Sequence, residues 1–309
     1  DSPRYSSGYT TLFNTLGIMI ETHMLKPYKQ RVEQTYAFLE SVIDFTVENG
    51  LKIKSLRKNA VAKILDEKTY PIWYELDKTT FSTFQFKGYE GNFIKSKVTT
   101  GKRLFYNKTK PYNKPIKYYN RFKTIKEINI PKAYILKKGW WKIINRLKNN
   151  SIEFIAFKND TILTAEEQHI KEYKTRTNAY EGHYTHYNTL VTTQEKKLKF
   201  SAGDIYIPVN QHGARYIIET LEASAVDSFF NWNFFDTVLQ KKEGFSGYVF
   251  EDIAEQLLKE NPSLNEALQQ KIKTNAEFAK NSRAQLNFVY KHSPFYEKAH
   301  LKLPIYKVY

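Results

Sequence analysis

At 309 residues the chain is long enough for two domains, and its 41% hydrophobic and 26% charged residues exclude an intrinsically disordered protein. Zero cysteines exclude disulfides, thiol catalysis and cysteine-ligated metal, and no apolar run approaches the roughly 20 residues of a membrane span. The net charge of +16 is concentrated: between Lys102 and Lys148 fifteen Lys or Arg face one acid, Glu127.

Asp1-Ser2-Pro3-Arg4 has no basic start followed by an apolar stretch, so it is no signal peptide, and no Met opens the chain. The true N-terminus is therefore expected upstream. Residues 10–21 predict a helical turn leading into a buried central strand, Gly17-Ile18-Met19-Ile20-Glu21, whose C-terminal end carries a carboxylate. Pro27 opens a helix, with Val32, Tyr36, Leu39 and Ile43 at helical spacing and Asn49-Gly50 as its close. A strand, a polar tip and a covering helix form the end of an α/β layer.

From Leu51 the texture changes to short strands with aromatic, Gly and Pro punctuation, predicting a β-rich, sandwich-like region. Within it, Ala133–Leu136, Trp140–Lys148 and Ile152–Phe157 predict a strand–helix–strand unit, with Trp141, Ile144 and Leu147 as the helix's apolar face. Further strands are expected around Gln168–Thr175, Tyr187–Thr193 and Asp204–Val209. After Pro208 the periodicity is helical over Arg215–Leu221, Val249–Lys259, Leu264–Ile272 and Glu277–Tyr290. Pro262-Ser263 and Thr274-Asn275 are start signals, and Pro294 is a stop. The expected class is mixed, α+β or α/β, in three regions: residues 1–50, a β-rich accessory domain over 51–210, and a helical C-terminal region over 211–309 packed on it.

The opening is the most specific stretch. Asp1-Ser2-Pro3-Arg4-Tyr5-Ser6-Ser7-Gly8-Tyr9, then Asn14, then Gly17-Ile18-Met19-Ile20-Glu21-Thr22-His23, resembles the end of the catalytic domain of carboxypeptidase-A-like zinc peptidases. Tyr180-Glu181-Gly182-His183-Tyr184 and Trp232-Asn233-Phe234-Phe235-Asp236 are similar to the C-terminal extension of a bacterial branch of these peptidases. The resemblance implies a metallocarboxypeptidase that removes C-terminal residues from peptides, with Glu21 as the base on a zinc-bound water. It further implies that Tyr5 caps the substrate and that Arg4 and Tyr9 lie on the substrate loop. His23, two residues after Glu21, is expected either as a partner orienting Glu21 or as an ordinary packed histidine.

The chemistry fits that role, since a metal-bound water attacking a peptide carbonyl needs a carboxylate to take its proton and pass it to the leaving amine. The family's zinc ligands, a His-x-x-Glu pair and a later His, precede the catalytic glutamate, and no His precedes Glu21. Zinc is thus expected in the full-length protein and not on this chain. The expected partners are a peptide substrate and the remainder of the catalytic domain. Export to the periplasm or beyond is what the family implies.

Other constellations are weaker. His169 and Glu172 stand three apart on an expected strand, so they face opposite sides and cannot share an ion. His183 and His186 lack a third ligand and are expected to be surface or hydrogen-bonded histidines. The Phe229–Phe235 cluster is expected to be core. Tyr106, Tyr112, Tyr118, Tyr119 and Tyr134 are interleaved with the cations of 102–148. That pattern allows a second reading, a non-catalytic module gripping an anionic polymer such as cell-wall material or nucleic acid. Only nine of the 48 basic residues are Arg, which disfavours base reading.

Overall fold

Helices and antiparallel strands share the chain, which is α+β. The structure is a computed structural model describing residues 2–309. In chain order the elements are α1 (Ser6–Thr11), α2 (Tyr28–Asp66), β1 (Thr69–Leu76), β2 (Ser82–Lys95), β3 (Lys102–Tyr118), β4 (Phe122–Asn129) and β5 (Ala133–Leu136). They continue as α3 (Trp141–Asn149), β6 (Ile155–Ala156), β7 (Thr161–Thr175), β8 (His186–Phe200), β9 (Ile205–Pro208) and α4 (Ala214–Leu221). The last five are α5 (Gly247–Glu260), α6 (Pro262–Thr274), α7 (Ala276–Ala279), α8 (Ser282–Lys291) and β10 (Lys302–Val308). Contacts divide the chain into one unit containing residues up to Asp66 with Ile130–Tyr309, and a second containing Glu67–Asn129. The sequence boundaries at 50 and 210 mark changes of texture and not of contact.

The first unit is organised on a six-stranded sheet in the order β6-β9-β5-β10-β7-β8, antiparallel throughout. All four residues of β5 are buried, because the strand is covered on both faces. On one face Ile135, Ala165, Phe200 and Tyr306 pack together. On the other, Tyr134 Oη donates to Glu222 Oε1 at 2.6 Å just past α4. The strand–helix–strand unit is present, but β9 lies between β5 and β6. Its helix buries Ile143 and Leu147, while Trp141, expected on that face, is exposed.

A separate helical cluster is built from α5, α6 and α8 around Phe250, Leu264, Leu268 and Tyr290. The expected helix over Glu277–Tyr290 is two helices, α7 and α8. Asn275 and Asn281 each cap one, their Oδ1 accepting from Phe278 N at 2.9 Å and Ala284 N at 2.9 Å. The C-terminal end, expected to be helical, instead returns as β10 into the middle of the sheet.

Two further expectations fail. The stretch Gly17–Glu21 is not a buried strand: residues 15–23 have no regular secondary structure, and Ile18, Met19, Ile20 and Glu21 are exposed. A strand needs a neighbour to accept its ladder hydrogen bonds, and none of the described strands lies beside it. The helix α2 does not stop at Asn49-Gly50 but runs 39 residues, about 58 Å, to Asp66. A lone glycine with open space around it costs a helix only about 1 kcal/mol, and Leu51–Asp66 is rich in helix formers.

The second unit holds two two-stranded antiparallel sheets, β1-β4 and the long hairpin β2-β3. With one broad sheet in the first unit and two ribbons in the second, the β-rich stretch is not the expected sandwich. Among the described residues no helix is long and apolar enough to cross a membrane.

Candidate functional site

The opening segment is fixed at several points to the region 146–235 of the same unit. Arg4 is the first. Asp227 Oδ2 accepts from the Arg4 backbone N at 3.0 Å, and Asp227 Oδ1 pairs with Arg4 Nη2 at 2.6 Å. The two side chains are 14% and 4% exposed, so the pair is largely shielded from water. Trp232 Nε1 donates to the same carboxylate at 3.0 Å and orients it. The guanidinium also lies 5.4 Å from the centroid of the Trp232 ring and 5.6 Å from that of Tyr180.

The next residues continue this attachment. Tyr5 is half-exposed, and the Tyr180 phenol is pushed upward by burial and by the neighbouring Tyr5 and Glu181. Tyr9 Oη donates to Asn150 Oδ1 at 2.5 Å, and Asn150 Nδ2 in turn donates to Tyr216 Oη at 3.0 Å. Burial holds the Tyr216 phenol above the ordinary tyrosine range. Phe13 stacks on Tyr216 at 5.6 Å and 25°, Leu12 is buried, and Arg215 Nη1 donates to Thr11 O at 2.8 Å. Tyr9, Phe13, Asn150 and His212 line an open cleft of about 320 Å³.

Beyond this anchor the chain turns. Asn14 takes a left-handed φ of 51°, which Asn tolerates, and Arg57 of α2 donates to Asn14 O at 3.1 Å and Thr15 Oγ1 at 2.8 Å. A Cβ at Gly17 would run into Thr10 Oγ1 and Ser7 Cα, so only glycine allows the chain to pass so close to α1. Leu16, Ile18, Met19 and Ile20 are then 72%, 66%, 50% and 37% exposed. Glu21 follows, exposed and without a hydrogen bond or ion pair among the described residues. His23 Nδ1 accepts from Leu25 N at 3.2 Å, in its own turn. The structure thus gathers Arg4, Tyr5 and Tyr9 on one surface and leaves Glu21 and His23 on an exposed segment. On α2, Val32, Tyr36, Leu39 and Ile43 form an exposed apolar stripe.

Asp227, Tyr180, Trp232, Asn150 and Tyr216 did not emerge from the sequence as partners of this segment. Arg4 and Asp227 are 223 positions apart, and no local spacing signals such a pair. His169 and Glu172 of β7 pair with Thr192 and Leu190 of β8, and the register shift between Ile170 and Glu172 brings the two to one face instead of the expected opposite faces. His186 is buried, with Nδ1 2.9 Å from Thr175 Oγ1 and Nε2 3.0 Å from Asp236 Oδ1. His183 sits edge-on to Trp232 at 5.3 Å. Phe229, Phe230 and Phe235 are core, as expected. Among the described residues no three His, Asp or Glu side chains come together as metal ligands.

The second unit carries a different surface. Strand pairing places Tyr118, Phe84, Phe86 and Tyr112 on one face of the β2-β3 hairpin. Their centroids follow at 5.5, 6.3 and 6.3 Å, a continuous ladder of rings. The hairpin 82–118 has nine Lys or Arg and one acid, Glu90. Lys114 Nζ lies 4.3 Å from the Tyr112 centroid. No family model, curated protein or solved structure matches this chain.

Proposed function

We propose that this chain is the C-terminal portion of a zinc metallocarboxypeptidase, in which Glu21 takes a proton from the attacking water and passes it to the leaving amine. The zinc ion, held by residues upstream of this sequence, would activate that water. Support comes first from the motif of residues 1–23 and second from one structural observation. The Leu16–Ile20 run next to Glu21, and the Val32–Ile43 stripe of α2, are exposed apolar surfaces of the kind a domain interior covers. Their natural cover, on this reading, is the rest of the catalytic domain. The reading predicts that the encoded protein with its upstream residues releases C-terminal amino acids from peptides when zinc is supplied, and that this chain by itself does not. Peptide release by this chain without upstream residues would contradict it.

The hairpin favours a second, compatible reading: a docking surface for an anionic polymer. A ladder of four rings, exposed at Phe84, Phe86 and Tyr118 and half-buried at Tyr112, flanked by nine cations offers stacking faces and charge together. Binding to such a polymer should weaken steeply with salt, and replacing Lys108, Lys114 and Lys117 by Gln should flatten that dependence by roughly three phosphate-equivalent contacts. Absence of binding at low salt would exclude this reading.

A further inference from the structure

The attachment of residues 4–13 to the region 146–235 has a consequence for how substrate would be held. This inference rests on the peptidase reading and deepens it. We propose that Asp227 is a positioning residue that sets the substrate loop: by fixing both the backbone and the side chain of Arg4, it places Tyr5 for substrate contact.

One carboxylate accepts from three donors, the Arg4 backbone N–H, the Arg4 guanidinium and the Trp232 indole, at 3.0, 2.6 and 3.0 Å. Three donors on a carboxylate that is 4% exposed leave it little freedom to move. Arg4 is fixed in turn, because its guanidinium is paired with Asp227 and lies beside the rings of Tyr180 and Trp232. Arg4 therefore acts as the anchor of the loop and not as the clamp on the substrate's carboxylate. Tyr5, one residue later, keeps 44% of its surface exposed, which leaves its ring available to a ligand. The Tyr9–Asn150 and Phe13–Tyr216 contacts fix the far end of the same segment, so the loop is pinned on both sides of Tyr5. All these partners belong to the extension. On this account its role is to pre-organise substrate binding, and it does not take part in the chemistry.

Displacing a positioning loop by about 1 Å can cost a peptidase up to roughly 100-fold. In the full encoded protein, Asp227→Asn should raise KM roughly 10–100-fold while kcat and bound zinc stay within about twofold, and Asp227→Glu should recover part of the loss. In this chain, Asp227→Asn should speed amide hydrogen exchange across residues 5–13 and leave β5 and β10 unchanged. That second readout does not depend on peptidase activity. Faster exchange together with a raised KM supports the proposal. Unchanged exchange overturns the anchoring itself, and faster exchange with an unaltered KM overturns the positioning role. Faster exchange alongside a wild-type protein that never hydrolyses peptides would refute the peptidase reading, and the substrate role of the loop with it, while the anchor would stand.

Discussion

Replacing Lys307 by Met tests why β10 belongs in the centre of the sheet. Lys307 is buried, with Nζ 2.9 Å from Glu166 Oε1 and 3.5 Å from Glu222 Oε1, and the side chains of Lys307 and Glu222 are 6% and 2% exposed. Burial would lower the ammonium's pKa, but the Glu222 charge, the Tyr309 phenol and Glu166 hold it well above the ordinary lysine range. Met keeps much of the apolar stem and removes the charge, leaving Glu222 with the Tyr134 hydroxyl as its remaining hydrogen-bond partner. Breaking a buried pair from one side costs about 3–5 kcal/mol. For a unit of this size that corresponds to a Tm lower by about 6–20 °C. Adding Glu222→Gln to the same chain removes the stranded charge and should return about 1–3 kcal/mol. Because the folded-state pKa of Lys307 is raised, its contribution is complete below the unfolded value of about 10.4 and is lost only as pH rises through the higher folded value. The gap between wild type and variant should therefore hold constant from pH 8 to about 10 and shrink above that. Urea denaturation across this range reads it, and a variant within about 0.5 kcal/mol of wild type at pH 8 would refute the reasoning.

The acid limb should come from Asp204 and Glu167. Burial would raise the Asp204 carboxyl, but the Lys138 and Ser201 backbone N–H groups and the Lys137 ammonium lower it, and Lys302 and Lys196 do the same for Glu167. Stability from both is thus present above about pH 4 and lost as pH falls through the lower folded values; Asp204→Asn should flatten that loss in denaturation measured from pH 2 to 6. Phe250→Ala should cost about 3–5 kcal/mol, since Phe250 is buried against Phe245 at 5.0 Å and Tyr290 at 5.5 Å in the helical cluster; a urea midpoint that does not move would contradict the packing. Asn275→Ala should cost about 1 kcal/mol through loss of the α7 cap, read in the same way.

Local signals carried most of the helices and strands. Asn275 followed by a helical pattern was readable because a cap is a contact within three residues, and the second half of β7 and the first half of β8 were readable from their composition and alternation. What depended on distant partners was not. Lys302–Val308 contains Pro304 and Lys307, both unusual in a central strand. Pro304 is accommodated because it falls in the register shift between Lys302 and Tyr306 opposite β7, and Lys307 because Glu166 and Glu222 wait beneath it. The Gly17–Glu21 run has the composition of a buried strand, yet a strand exists only where another offers its ladder, and here none does. The candidate residues Arg4, Tyr5, Tyr9, Glu21 and His23 were named from the opening motif. The Asp227 carboxylate that organises the first of them lies beyond any local pattern.

The central claim is that Glu21 does chemistry. The most direct measurement is release of C-terminal amino acids from peptides by the full encoded protein, wild type against Glu21→Gln, with zinc content and folding followed in parallel. The account predicts that the variant keeps its zinc and its fold and loses about 10²–10⁴-fold in kcat. Equal activity in the two proteins, or none in the wild type at full zinc occupancy, would contradict it.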